Sequence, residues 1–311
     1  MGKKIAKRLI QIIIVLFGIS FITFALTYIS PGDPVRNMFI ATGSIPSEEV
    51  LNQVREEMGL NRPFLVQYVS WLTGCLRGDF GTSYSTKKAV IDMLLARLKP
   101  TMQLALFSLI LMMVISVPAG MISAVKKNKL PDILVRGMTF FGVSIPNVWF
   151  GLMLKYVVAY KFKLLPVTSL TLDFKRMIMP AVTLAFAMSA KYTRQVRTAV
   201  LEELDQDYVT GARCRGIKES VIFWRHVFPN ALLPLITMLG LSLGSLLGGT
   251  AVVEVIFSYP GLGGLAVDAI NAMDYPVIQG YVLWIALIYM VINLIVDISY
   301  SYLDPRIREK R

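Results

Sequence analysis

Residues 9–30 read LIQIIIVLFGISFITFALTYIS, a run of 22 residues without a charged side chain. A helix rises about 1.5 Å per residue, so about 20 apolar residues cross the roughly 30 Å hydrocarbon core of a bilayer. The run is longer than the roughly 7–15-residue core of a cleaved signal peptide, and Ser30-Pro31-Gly32 after it is a poor cleavage site. We therefore predict that residues 9–30 form a first transmembrane helix that is retained.

Five further stretches reach this length and apolarity or come close to it: 101–123, 134–160, 177–196, 229–256 and 280–303. The fourth transmembrane stretch, 177–196, is the weakest, because its strictly apolar part ends before Lys191. The whole chain is 55% hydrophobic and 17% charged, whereas soluble domains contain roughly 25% charged residues. The composition excludes a soluble protein and predicts an all-α membrane protein with six transmembrane helices.

Lys and Arg are concentrated in alternate loops, which sets the orientation of the predicted spans. With the N-terminus inside, the cytoplasmic segments hold 19 of the 32 basic residues and the external segments hold 12. The cytoplasmic segments are 1–8, 124–136, 191–228 and 304–311, and the external segments are 31–100, 161–176 and 257–279. Only the external loop 161–176, with four basic residues, opposes this orientation. We expect both termini in the cytoplasm, and we attribute the net charge of +12 to this topology rather than to nucleic-acid binding.

Residues 31–100 are long enough for an external subdomain between the first two spans. Ser47 followed by Glu48 and Glu49 predicts a helix N-terminus, because acids in the first turn complement the helix dipole. Gly59 is the predicted end of that helix. The subdomain is either a docking surface for an external partner or a lid that packs on the ends of the spans.

The large cytoplasmic loop contains DYVTGARCRGIK at residues 207–218. Small residues allow close approach, and the short apolar side chains between them would let a helix sit in a groove on another protein. The alternative is a basic helix that lies on anionic lipid headgroups. Composition alone favours the second interpretation.

The spacing in this loop resembles the coupling motif of binding-protein-dependent ABC importers, which runs Glu-Ala-Ala, three residues, Gly, nine residues, Ile, any residue, Leu-Pro. Thr210-Gly211-Ala212 occupies the first triplet, Gly216 the glycine and His226-Val227-Phe228-Pro229 the closing positions. Thr210 and Gly211 depart from the motif in a way that is common in the peptide/nickel permease branch. Further strings similar to that branch are Ser30-Pro31-Gly32-Asp33-Pro34, Gly59-Leu60-Asn61-Arg62-Pro63 leading to Gln67-Tyr68, Gly78-Asp79-Phe80-Gly81-Thr82-Ser83, Ser144-Ile145-Pro146, Glu254-Val255-Ile256-Phe257-Ser258-Tyr259-Pro260-Gly261-Leu262-Gly263, Asp274-Tyr275-Pro276-Val277-Ile278-Gln279 and Asp304-Pro305-Arg306-Ile307-Arg308.

The resemblance implies a type I ABC importer permease fold, with a cytoplasmic coupling loop at 197–228 whose short helix Tyr208–Lys218 sits in the groove of an ATPase subunit. Ala212 and Gly216 would lie against the ATPase, and Arg213, Arg215 and Lys218 would pair with its rim. The implied coupling residues are Tyr208, Val209, Gly211, Ala212, Arg213, Arg215, Gly216 and Lys218. The implied partners are a second homologous permease chain, two ATPase subunits and an extracytoplasmic solute-binding protein, in a bacterial cytoplasmic membrane.

The gate and pathway candidates lie in or beside the predicted spans. Pro146 removes a backbone hydrogen bond inside the third span and predicts a kink. Small residues four apart let helices approach closely, as at Gly240, Gly244 and Gly248, and the resemblance implies a re-entrant external gate in 257–279. The candidates are Pro146, Asn147, Gly244, Gly248, Glu254, Pro260, Gly261 and Gly263. For Asn147 local repair of the kink, and for Glu254 anchoring at the interface, remain open alternatives.

The sequence contains no GxxxxGK[ST] string, so the chain is not itself a P-loop ATPase. His226 is its only histidine, the predicted topology separates Cys75 from Cys214, and neither pattern indicates a catalytic or metal site. We predict a transport subunit, not an enzyme, that needs no cofactor. Two competing classes are a secondary transporter, which would need inverted repeats or a midplane ion site, and a membrane-embedded hydrolase. The hydrolase would need a nucleophile with a base within hydrogen-bond reach, and the lone histidine is on the wrong loop.

The resemblance leaves two substrate classes open. Di- and oligopeptides are the first, and nickel or a metal chelate is the alternative. Imidazole and thiolate are the ligands that suit Ni²⁺ best, and neither occurs within a predicted span. The sequence therefore favours peptides, although a separate binding protein is expected to determine selectivity.

Overall fold

The computed structural model describes residues 2–41, 46–168 and 173–303, most of which are helical. The helices of the first half are α1 (Gly2–Ile29), α2 (Pro34–Ala41), α3 (Glu48–Glu57), α4 (Phe64–Leu76), α5 (Val90–Val125), α6 (Leu130–Ser144) and α7 (Asn147–Leu154). The helices of the second half are α8 (Phe174–Leu204), α9 (Asp207–Cys214), α10 (Glu219–Ile222), α11 (Phe228–Phe257), α12 (Leu262–Asn271) and α13 (Tyr275–Leu303). A π-helical turn, Lys155–Lys161, continues α7, and another, Phe223–Val227, precedes α11. The predicted tail 304–311 lies outside the described residues.

Four stretches of the described chain are long and apolar enough to cross a membrane: Arg8–Ile29, Val90–Val125, Glu219–Gly244 and Tyr275–Ile298. Two helix pairs with short breaks raise the number to six if each pair is one span: Leu130–Ser144 with Asn147–Lys161, and Thr250–Phe257 with Leu262–Asn271. The predicted all-α membrane class is therefore confirmed. The boundaries differ, because α5 already begins inside the predicted subdomain 31–100, and the predicted gate loop 257–279 contains α12 and the start of α13.

The predicted third span, 134–160, is not one helix. α6 ends at Ser144, Ile145 is extended, and α7 begins at Asn147, so that the two halves meet at 96°. Pro146 explains the break, since it has no N–H to donate and it disfavours a helical conformation at the residue before it. The predicted kink is thus a break between two helices that meet at nearly a right angle.

The predicted fourth span lies in α8, which is not among the helices apolar enough to count as a span. With 31 residues α8 is nevertheless long enough to cross the membrane. It packs against α6, α7 and α11, and many of its small side chains are buried. A helix covered by other helices does not need an apolar surface towards lipid, so hydropathy understates this element. The assignment of 177–196 as a span remains a prediction.

The chain divides into two compact units. The first comprises 1–101 with 260–291, and the second 102–259 with 292–311. In the first unit, aromatic rings of α1 and α4 pack edge to face, and Ser20 Oγ lies 2.9 Å from Tyr68 Oη. α3 has Ser47 at its N-cap position, without a side-chain hydrogen bond, and is followed by Gly59, as the sequence predicts.

The second unit is built around α8. Gly120 of α5 lies so close to Val196 that a β-carbon there would be 2.6 Å from the valine Cβ. Gly142 of α6 lies equally close to Ala190, at 2.8 Å for the same construction. These contacts hold α5 and α6 tightly against α8, which leads directly into the predicted cytoplasmic loop.

Candidate functional site

The predicted cytoplasmic loop contains a short helix, α9, which begins three residues after the end of α8. It ends in a Schellman motif, in which the Ile217 N–H donates to the Ala212 carbonyl at 3.3 Å and the Gly216 N–H donates to the Arg213 carbonyl at 2.9 Å. Gly216 has φ +72°, which a side chain would strain. The helix therefore covers Asp207–Cys214 rather than the whole of the predicted Tyr208–Lys218, and Gly216 terminates it.

Two of the predicted coupling residues point into the protein. Val209 is 0% exposed and Ala212 is 5% exposed, so their side chains pack within the chain. In the described chain Ala212 therefore does not face outwards, and the expectation that it lies against an ATPase stays a prediction. The surface open to a partner is the opposite face, which we call the α9 surface and define as Thr210, Gly211, Arg213, Cys214 and Arg215.

Hydrogen bonds anchor α9 to the helices on either side. The Tyr208 hydroxyl donates to Glu203 Oε2 of α8 at 2.5 Å, and Asn230 Nδ2 of α11 donates to the Tyr208 oxygen at 3.4 Å. The same amide donates to the backbone carbonyl of His226 at 2.9 Å. Asn230 was not a sequence candidate, because an isolated amide near a helix start gives no distinguishing pattern. The anchoring makes α9 a fixed projection rather than a free loop.

The basic residues of the α9 surface differ in how they are held. Arg213 makes a two-pronged ion pair with Glu219, with Nε–Oε1 2.7 Å and Nη2–Oε2 3.3 Å. Both side chains are exposed, so this pair contributes no more than about 1 kcal/mol to stability. Arg215 Nε donates to the Gly211 carbonyl at 3.2 Å, and Lys218 is exposed. These cations give the surface a positive rim.

The gate candidates are distributed over both compact units of the described chain. Pro146 and Asn147 are exposed at the turn between α6 and α7, whereas Glu254 is buried in α11. Pro260 is half-buried and precedes α12, where Gly261 and Gly263 are both buried. In α11, Gly240 contacts Val296 of α13, Gly244 is buried, and Gly248 is exposed with open space around it. Their roles as gate residues stay predictions.

Lys155, which is not among the gate candidates predicted from the sequence, makes polar contacts within the second unit. Its ammonium group donates to the backbone carbonyl of Ile256 at 2.5 Å and lies 5.9 Å from the centre of the Phe257 ring. Both residues belong to the last turn of α11, where unpaired carbonyls favour a cation. Lys155 therefore caps the end of α11 immediately before the predicted gate loop.

The first unit contains an open cavity of about 680 Å³ on the predicted external side. Four of the family-like strings line this cavity, although they are up to 249 residues apart in the chain. The lining residues include Ser30, Asp33, Arg55, Gly59, Arg62, Gln67, Trp71, Gly81, Tyr84, Tyr275 and Gln279. Asp33 accepts a hydrogen bond from Arg55. Partial burial raises the pKa of Asp33, but hydrogen bonds from Arg55 and the Val35 N–H outweigh it and leave the pKa below its usual value.

A buried carboxylate holds the wall of this cavity together. Asp274 is 2% exposed and accepts hydrogen bonds from Ser83 Oγ at 2.5 Å, the Tyr84 N–H at 3.0 Å and the Ser85 N–H at 3.2 Å. Burial, together with the charge of Asp274, raises the pKa of Tyr84 to about 12. The two strings that begin at Gly78 and Asp274 thus form one structural element.

The described residues offer no hydrolytic or metal centre. They contain no group of three or more His, Cys, Asp or Glu side chains that could hold a metal ion. Residues 240–244, GLSLG, have the G-x-S-x-G spacing of a hydrolase elbow, but they lie inside α11 rather than on the required strand-to-helix turn.

Comparison with known families gives two matches that together cover most of the chain. Residues 116–309 match the family described as "Binding-protein-dependent transport system inner membrane component". Residues 1–105 match the N-terminal family of such membrane components.

Curated relatives match over almost their full length. The oligopeptide transport system permease protein AppB of Bacillus subtilis is 40% identical over 317 residues, which cover 99% of each chain. The glutathione transport system permease protein GsiC of Escherichia coli is 35% identical over 306 residues, which cover 98% of this chain and 99% of the relative.

Solved structures share the fold at low identity. The MetNI methionine ABC transporter, in an inward-facing conformation, matches with a TM-score of 0.56 and 16% identity over 68% of this chain and 96% of the other. An amino acid ABC transporter crystallised with histidines matches with a TM-score of 0.53 and 19% identity over 69% and 94%. At this identity the likeness shows the permease fold alone.

Proposed function

Because the chain belongs to the family of binding-protein-dependent transport system inner membrane components, we propose that it forms half of the translocation path of an ATP-driven importer and that its α9 surface docks on an ATPase subunit. The observation that carries this proposal is α9 itself. It is a short, anchored helix with an open glycine at Gly211 and a rim of Arg213 and Arg215, on the loop that resembles the coupling motif. A rigid projection of this kind converts closure of an ATPase dimer into tilting of the attached helices.

The other half of the path is, in our proposal, a second homologous permease chain. Gly248 supports this, since it is exposed on α11 and, among the described residues, no other part of the chain lies within 4 Å of a β-carbon built there. A second α11 could approach closely at such a residue. Two ATPase subunits and an extracytoplasmic solute-binding protein complete the assembly, with both termini of this chain in the cytoplasm.

We propose short peptides as the substrate class. The support is the function of the two relatives: one is an oligopeptide permease, and the other is a permease for glutathione, itself a tripeptide. Nickel or a metal chelate is the alternative within the same branch.

Uptake in a strain that lacks this chain tests the substrate class. We expect loss of the chain to lower accumulation of a labelled di- or oligopeptide at least ten-fold, and a plasmid-borne copy to restore it. Uptake of ⁶³Ni²⁺, alone and as a chelate, should be unchanged in the same cells. Loss of nickel uptake with intact peptide uptake would reject the peptide proposal and favour the alternative.

A further inference from the structure

An ion pair with a buried carboxylate and a partly exposed arginine joins α8, the helix that leads to α9, to the connection between two other helices of the same unit. Asp132, in the first turn of α6, is 0% exposed. Arg197 of α8 makes a bidentate interaction with this carboxylate, with an Nε–Oδ1 distance of 2.8 Å and an Nη2–Oδ2 distance of 2.9 Å. Such two-pronged pairs fix direction as well as distance.

The same carboxylate also organises the α5–α6 connection. Ser123 Oγ, near the end of α5, donates to Asp132 Oδ1 at 2.5 Å, and the Asn128 N–H donates to Oδ2 at 2.8 Å. Asn128 itself has φ +62°, so the chain turns sharply at this residue. One side chain therefore ties the end of α5, the turn and the start of α6 to α8.

Arg197 lies two turns before the end of α8, and α9 begins three residues after that end. One turn in from the ion pair, Gly120 packs on Val196 with no room for a side chain. A displacement of α9 is thus transmitted first to α8, together with α5 and α6, which pack tightly against it. The Asp132–Arg197 ion pair and the close contacts of Gly120 and Gly142 with α8 hold these three helices together.

We propose that Asp132 and Arg197 are positioning residues for energy coupling, which make α5 and α6 follow the movement that α8 receives through α9. This inference rests on the proposed function, since it needs an ATPase that moves α9. A simple salt bridge for stability would predict a different result: a buried carboxylate that loses its partner destabilises the fold, but it leaves intact the number of ATP molecules used per substrate.

The test uses the complete importer, purified with its partner subunits and reconstituted in proteoliposomes. Asp132→Asn keeps the shape of the side chain and removes its charge, and Arg197→Gln removes the other half of the pair. We expect each variant to assemble, to hydrolyse ATP at a rate within about two-fold of wild type, and to transport at least ten-fold less peptide per ATP. The double variant should be no worse than the single variants, because both remove the same interaction.

Arg136→Gln is the matched control. Arg136 lies 3.6 Å from the same carboxylate but is half exposed, so we expect a ratio of peptide to ATP equal to that of wild type. If Asp132→Asn fails to assemble, Arg197→Lys decides the matter, because it keeps the charge but not the two-pronged geometry, and an intermediate loss is expected. Unchanged ratios in the variants that assemble would overturn the inference. Uptake by the wild-type importer that does not need ATP would instead overturn the proposed function.

Discussion

Replacing Gly211 by glutamate is expected to abolish ATP-driven uptake while leaving the chain inserted and folded. Gly211 lies inside α9, and a β-carbon built there meets no atom within 4 Å. The isolated chain therefore accommodates a larger residue, and leaving glycine favours the helix by up to about 1 kcal/mol. The loss must then arise in a partner that covers this face. A substitution at the centre of an interface costs about 2 kcal/mol or more, which is about 30-fold in affinity.

Two variants separate docking from folding in this experiment. Gly211→Ala adds a single methyl group and should retain most of the uptake. Gly216→Ala tests strain alone, since φ +72° is unfavourable for any side chain but the added methyl group has open space. The measurement is peptide uptake together with co-purification of the ATPase subunits. Normal uptake by Gly211→Glu would show that α9 does not contact the ATPase.

Labelling of the two native cysteines gives an all-or-none test of orientation. Cys214 is exposed on α9, whereas Cys75 is half-buried in α4. Burial, with a contribution from the charge of Asp79, raises the pKa of Cys75 to about 12. Only the thiolate reacts with a maleimide, so at pH 7 about one part in 10⁵ of Cys75 is reactive. We expect a membrane-impermeant maleimide to label Cys214 in inverted vesicles and neither cysteine in intact cells.

The serine variants identify the labelled residue. Cys214→Ser should remove the label from inverted vesicles, and Cys75→Ser should not change it. Bound ATPase subunits should protect Cys214, because it belongs to the α9 surface. Labelling of Cys214 in intact cells would place α9 outside and would refute the coupling role.

Hydropathy of the sequence predicts that helices cross the membrane, but not where they end or bend. It identifies α1, α5, α13 and the first half of α11. It underrates α8, because burial against α6, α7 and α11 removes the need for apolar residues on all sides. It also misses α12, since ten residues after Gly261 are too short to count as a span.

The proposed coupling site also combines features that the sequence predicts with features that it does not. The spacing of Gly211, Gly216 and Pro229 is a property of the sequence and indicates the loop. The burial of Ala212 depends on which face of α9 packs inwards. From the sequence alone, the apolar face formed by Val209 and Ala212 could pack either into this chain or against a partner. Tyr208 is hydrogen-bonded to Asn230, 22 residues away, and Asp132 is paired with Arg197, 65 residues away. No local pattern contains such pairs.

Transport by purified components, reconstituted in proteoliposomes, tests most directly whether this chain is a passive conduit driven by a separate ATPase. The vesicles contain both permease chains, the ATPase subunits and the solute-binding protein, and ATP is supplied on the side of the membrane that the ATPase subunits face. These vesicles should accumulate peptide above the external concentration. Vesicles without the ATPase subunits should not, even when a proton or sodium gradient is imposed. Accumulation driven by an ion gradient in those vesicles would contradict the account and identify a secondary transporter.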